Sequence, residues 1–243
     1  MVYIHMYQIF EYKCFKNCDN LSSVVIPSNV TSFGEYCFYG CDSLSGIDMP
    51  SIQKIGKECF ENCSSLKNII LPYSVLSIGF GCFQNCCNLK SVEIAASVTS
   101  IDDYCFIGCI NLTSITIPTS VKTISDCCFC RCSSLKSLSI PSSVISINND
   151  CFLQCVSLSN INIPTSVTAI GNRCFYNCLS LSNIKIPSSV ITIGEFCFYE
   201  CCCLNSVDLS TSVTSIGYAC FKGCSSLSNV VTPSSVKNTS KLF

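Results

Sequence analysis

The sequence predicts a repeat solenoid, and three observations carry the prediction. A Cys-Phe pair recurs at 14/15, 37/38, 59/60, 82/83, 105/106, 128/129, 151/152, 174/175, 197/198 and 220/221, in steps of 23 residues with a single step of 22. All eight prolines (27, 50, 72, 118, 141, 164, 187 and 233) occupy one slot of that period. The apolar residues are scattered at the same spacing instead of gathered into blocks. A fixed period of this length is the signature of stacked supersecondary units, each unable to bury its apolar face alone. One elongated domain over residues 1–243 is expected, with about ten 23-residue repeats and partial turns at 1–13 and 234–243.

One coil, read from Leu181, shows the elements in order. Leu181, Ile184 and Ile186 alternate as a short strand with one buried face. Pro187 follows, where a missing N–H breaks no ladder. The chain crosses Ser188 and Ser189 and enters Val190-x-x-Ile193, a second, shorter extended segment. Next comes Gly194, in a slot that also holds Gly34, Gly56, Gly79, Gly171 and Gly217, with Asp102, Ser125 and Asn148 elsewhere. Residues of these types tolerate positive φ, so a sharp turn is expected there. Cys197 and Cys201, four apart, are expected on one face of a single helical turn. The residue before the second Cys is Asn or Gly in seven repeats (Asn17, Gly40, Asn62, Asn85, Gly108, Asn177 and Gly223), which predicts a left-handed exit. The short repeat loses its residue between Pro50 and Ile52, in the crossing segment, where a deletion costs least.

The pattern C-x-S-L-x-x-I-x-I-P-x-S-V-x-x-I-G-x-x-C-F-x-x-C resembles the BspA-like leucine-rich repeats, with Cys-Phe where that family usually has Ala-Phe. The resemblance covers nearly the whole chain. It implies a leucine-rich-repeat solenoid with a parallel β-sheet on one side, and short second strands and single helical turns on the other. It also implies roles in adhesion and protein binding, often at the surfaces of bacteria and protozoan parasites, and it brings no catalytic residues.

The chain holds 25 cysteines. Two repeat slots account for all but Cys87, Cys127, Cys130, Cys202 and Cys203. Equivalent residues on stacked coils have parallel Cβ vectors about 4.8 Å apart, whereas a disulfide prefers converging vectors and about 3.8 Å. The C-F-x-x-C spacing falls within the range used by zinc sites, yet four thiolates must converge on one ion. Two inward columns interleaved with Phe do not converge. Buried free thiols acting as small hydrophobes are therefore expected, with raised pKa and little reactivity; disulfides and zinc are the alternatives. The five extra cysteines are expected nearer solvent. Cys127 with Cys130, and Cys201 to Cys203, are the places to look for reactivity.

Only 12% of residues are charged and the net charge is −1, so nothing electrostatic favours nucleic acid or an anionic membrane. No apolar run approaches the roughly 20 residues of a membrane span. His5, the only histidine, lies in the first turn, which leaves no Ser-His or Cys-His arrangement. Asp102 and Asp103 read as turn chemistry. Glycosylation sequons begin at Asn20, Asn29, Asn62, Asn111 and Asn238 and are expected to be unused. No cofactor, metal or catalytic residue is expected.

The expected function is protein binding on the outward face of the main strand. One row of that face reads Ser23, Gly46, Asn68, Ser91, Ser114, Ser137, Asn160, Asn183, Ser206, Asn229. The other reads Val25, Asp48, Ile70, Glu93, Thr116, Ser139, Asn162, Lys185, Asp208, Val231. Eleven residues form the expected partner face: Asn68, Glu93, Ser114, Thr116, Ser137, Ser139, Asn160, Asn162, Asn183, Lys185 and Asp208. Lys67, Lys90 and Lys136 flank it as a solvated edge. The N-terminus lacks a basic stretch and a small-residue cleavage site. With a thiol core this points to the cytoplasm, with the cell surface the alternative carried by the resemblance. Neither end carries a polar cap, so end-to-end self-association or a longer chain is expected.

Overall fold

The computed structural model describes residues 8–228, 230–236 and 241–243. Each coil carries two strand positions, and like strands of successive coils pair in parallel and in register. The longer row is built from Asn68–Ile70, Ser91–Glu93, Ser114–Thr116, Ser137–Ser139, Asn160–Asn162, Asn183–Ile186 and Ser206–Leu209. Its pairings join Asn68 to Ser91, Ser137 to Asn160 and Asn183 to Ser206, a step of 23 each time. The second row holds two-residue strands, from Ile9–Phe10 through Thr123–Ile124 to Ser215–Ile216. The solenoid, its parallel sheet and its short second strands are as the repeat predicts.

The longer row starts later than the sequence suggests. The segments containing Ser23, Val25, Gly46 and Asp48 form no strand. Gly46 and Asp48 are poor strand residues, and the first two coils are held in register by their second strands, which pair as Phe10 with Phe33 and Phe33 with Ile55. Asn229 lies outside the described residues, as does His5.

The Cys-Phe segment is not helical, contrary to the expected helical turn. In the coil around Cys197 the N–H groups of Phe196, Phe198 and Glu200 bond the carbonyls of Tyr218, Cys220 and Lys222 on the next coil, each at 2.8 Å. Between them Tyr199 and Cys201 close tight turns onto Phe196 and Phe198. A helix must direct successive N–H groups along its own backbone. Here alternate groups are taken by the neighbouring coil, so the segment becomes a run of turns bonded along the axis. The residue before each Cys of the motif has positive φ, for example 54° at Phe196 and 56° at Glu200. The left-handed exit before the second Cys is as expected. Arg131, Gln154 and Glu200 adopt it too, although none is Asn or Gly.

The Gly194 slot corrects the sequence reading: none of its six glycines has positive φ. These glycines serve close approach instead. A Cβ on Gly194 would lie 2.4 Å from the Asn172 backbone nitrogen, and one on Gly217 would lie 2.3 Å from that of Glu195. The left-handed residue comes two positions later.

The core is columnar. Phe38, Phe60, Phe83, Phe106, Phe129, Phe152, Phe175 and Phe198 are fully buried and nearly parallel, with adjacent ring centroids 5.3–5.7 Å apart. The second cysteine of each motif adds a bond that the sequence did not reveal. Cys201 Sγ donates to the Phe175 carbonyl of the preceding coil at 3.0 Å, and the same bond recurs from Cys41 to Cys224. The Phe175 carbonyl already accepts from Cys178 N–H, so the thiol occupies its second lone pair. Ser-Val pairs act similarly. Ser97, Ser143 and Ser166 donate to the carbonyls of Val75, Val121 and Val144 at 2.5–2.8 Å. The proline slot opens the turn that follows it, with Pro187 C=O accepting from Val190 N–H.

Burial drives the thiols upward. Cys41 and Cys224 are pushed up to about 12 and about 11 mainly by desolvation, and burial likewise raises the enclosed Cys174, Cys178 and Cys197 well above the ordinary thiol range. A raised folded pKa means that above roughly pH 8.5 the folded state holds protons that the unfolded chain releases. Stability from this source is complete below that pH and falls as pH rises, by about 1.4 kcal/mol per pH unit per buried thiol. Urea unfolding under reductant from neutral to alkaline pH should show steep loss above roughly pH 8.5. Cys178→Ala should cost about 1–2 kcal/mol at neutral pH and shallow that slope. Gly194→Ala, which forces backbone from backbone, should cost on the order of 2–4 kcal/mol in the same assay.

Candidate functional site

The strand alternation sets the site. Ile69, Val92, Ile115, Leu138, Ile161, Ile184 and Val207 point inward and are buried, so their neighbours on either side must face out. All eleven residues expected on the partner face are exposed: Asn68, Glu93, Ser114, Thr116, Ser137, Ser139, Asn160, Asn162, Asn183, Lys185 and Asp208. Ser91, beside them, donates to Asn68 Oδ1 at 2.8 Å. Ser137, Ser139, Asn160 and Asn162 form a two-by-two array of short polar side chains held in register. Lys185 and Asp208 stand opposite one another on adjacent strands. Here the face dips into a shallow concavity of about 650 Å3, lined by Asn183, Lys185, Ser206, Asp208 and Val231 among others. Exposed Ile70 and Val231 add apolar contact points near either end. Lys67, Lys90 and Lys136 lie exposed along the flank.

This surface has hydrogen-bonding groups, little charge and a rigid spacing. It can match an extended partner by shape and by hydrogen bonds. Among the described residues, no three or more His, Cys, Asp or Glu side chains gather where a metal ion could sit. Nor is any helix there long and apolar enough to cross a membrane.

The extra cysteines divide. Cys202 and Cys203 are exposed, and Cys87 and Cys127 are half-buried. Cys130 is buried, against expectation, and pushed up to about 12 by that burial and by nearby Cys127. Cys201 is also buried, so of the 201–203 run only the last two reach solvent. Cys127 is not activated: burial and the charge of Asp150 both raise its pKa. Two repeat-slot cysteines, Cys14 and Cys18, are exposed because they lie in the first described coil.

Sequence reasoning missed two polar features on the turn side. Asp150, 8% exposed, receives a bidentate pair from Arg173, with Nε–Oδ1 and Nη2–Oδ2 both 2.7 Å. The Asp103, Asp126, Asn149 and Asn172 side chains each accept the backbone N–H of the equivalent residue one coil on, at 2.8–3.0 Å. Asp103 is thus turn chemistry, as read, and extends into a ladder. Burial first, and Asp103 second, raise the pKa of Asp102. Asn62 and Asn111 have their amides engaged with neighbouring coils, whereas Asn20 and Asn29 are exposed; Asn238 lies outside the described residues.

Comparison with known proteins agrees with this geometry. The sequence profile of the BspA type leucine rich repeat region matches in six copies, over residues 8–136 and 122–243. No curated protein matches the chain. A leucine-rich repeat protein from Bacteroides ovatus is similar in structure at 28% identity, with a TM-score of 0.72, covering 94% of this chain and 71% of that one. The pneumococcal vaccine antigen PcpA shares the fold at 23% identity and a TM-score of 0.63, covering 94% of this chain and 61% of its own. A leucine-rich repeat protein from T. pallidum does so at 24% identity and a TM-score of 0.54, covering 90% and 82%. The chain belongs to the BspA-type leucine-rich-repeat family, as a variant with cysteine in its core columns.

Proposed function

We propose that this chain is a non-catalytic protein-binding scaffold that docks a partner on the outward rows of its longer strands. The observation behind this reading is the uninterrupted exposure of the eleven face residues at fixed inter-coil spacing. A repeat surface of this kind presents many weak polar contacts at once, and their geometry is set before the partner arrives. The array around Ser137, Ser139, Asn160 and Asn162 is its centre, and Lys185 with Asp208 supplies orientation at one end.

Display at a cell surface is the second reading, favoured by the description of the structural neighbour PcpA as a vaccine antigen. The thiol core does not weigh against it. Enclosed thiols with raised pKa and parallel columns resist oxidation in either compartment, so the core loses its force as an argument for the cytoplasm.

A partner retained by the purified chain and identified by mass spectrometry allows the face to be tested by titration calorimetry. Asn160→Arg with Asn162→Arg should weaken binding at least about tenfold, and Ser142→Arg, on an exposed crossing, should leave it unchanged. Equal loss in both variants, or none in the first, would remove the strand face as the site. For surface display, brief protease treatment of intact cells should release peptides of this chain. Protection at every exposure time would exclude it.

A further inference from the structure

The ridge beside the second cysteine of each motif carries a pattern that the strand face does not explain. The residue after that cysteine is Asp19, Asp42 and Ser64 in the first coils, then Cys87, Ile110, Ser133, Val156, Leu179 and Cys202, and Ser225 in the last. A polar column thus turns largely apolar, and Ile110 and Leu179 are 43% and 42% exposed. The residue before the cysteine runs, in the same coils, Arg131, Gln154, Asn177, Glu200. The two columns enclose a groove of about 420 Å3.

We propose that this ridge is a two-fold interface at which two copies of the chain pack side by side and antiparallel. The order of the four residues is the ground for it: cation, amide, amide, anion. A two-fold axis between the coils of Gln154 and Asn177 sets Arg131 against Glu200 of the second copy, twice, and Gln154 against Asn177. The same operation sets Val156 against Leu179, Ser133 against Cys202, Ile110 against Ser225, and Gly108 against Gly223. An isologous interface requires this self-complementarity, in which residue i meets j and j meets i. Within one chain Arg131 and Glu200 are three coils apart and cannot pair.

The side chains are prepared for it. Arg131 Nε donates to Gln154 Oε1 at 3.1 Å, which orients the guanidinium and leaves its terminal N–H groups and the Gln154 –NH2 available. Asn177 Oδ1 is covered and has no hydrogen-bond partner. Rotation of that amide about its broad terminal torsion brings the oxygen to the surface, where the –NH2 of Gln154 of the second copy meets it.

Sedimentation equilibrium of the full chain under reductant tests this independently of any strand-face partner. The wild type should be a dimer in reversible exchange with monomer. Arg131→Glu and Glu200→Arg should each raise the dissociation constant at least about tenfold, and the double variant R131E/E200R should restore it. Both positions already hold L-residues at positive φ, and circular dichroism of each variant is the check on its folding. A monomer across the whole concentration range, a dimer indifferent to both single changes, or a double variant no tighter than the singles would overturn the proposal.

Discussion

Everything in this molecule rests on axial register. Each coil bonds to the next through backbone groups at like positions, so a residue type placed once in the repeat becomes a column. Strand N–H groups do this on two sides of the coil, and alternate N–H groups of the Cys-Phe segment do it on the third. Once that register is set, Phe must stack on Phe and thiol must lie over thiol. The core is then a set of straight columns, not a mosaic. A coil has little apolar area to itself and gains most of its burial from its neighbours, as expected for a quasi-one-dimensional fold.

Cysteine suits the second inward slot for a reason that goes beyond volume. A tight turn leaves the Phe carbonyl with one lone pair unused, and a neighbouring thiol supplies a weak donor at 3.0–3.3 Å without the desolvation cost of a hydroxyl. Alanine would fill less space and leave that acceptor open. The slot therefore does two things, packing and polar satisfaction, on almost every coil. Ser97, Ser143 and Ser166 repeat the idea on the crossing segment with a stronger donor.

The same register that builds the core produces the surfaces. Outward rows on the longer strands repeat short polar side chains, whereas the turn ridge changes character along the axis, from acidic and small to apolar with charged ends. Variation along a column is informative because the repeat would otherwise copy one residue type throughout. The strand face is short and polar through its middle, from Ser114 to Asn162, with Glu93, Lys185 and Asp208 toward its ends. The ridge is graded, which makes it self-complementary under a two-fold operation.

The sequence by itself determined the period, the coil boundaries, the inward and outward faces and, in the seven repeats with Asn or Gly there, the left-handed residue before the second cysteine. All of these depend on residue type at a fixed spacing. It also placed the eleven face residues in solvent, because strand alternation leaves no other choice once Ile184 and its equivalents turn inward. It misread the Cys-Phe segment as a helical turn, since spacing of four fits a helix and nothing local reveals that alternate N–H groups belong to the neighbouring coil. It assigned Gly194 to positive φ for the same reason: the constraint is the Asn172 backbone, 22 residues away in sequence and 2.4 Å away in space. The thiol–carbonyl bonds, the Asp103–Asn172 ladder and the burial of Cys130 were likewise decided only by stacking. Contacts across the coil boundary have no trace in a single repeat, and tertiary structure alone brings them within reach.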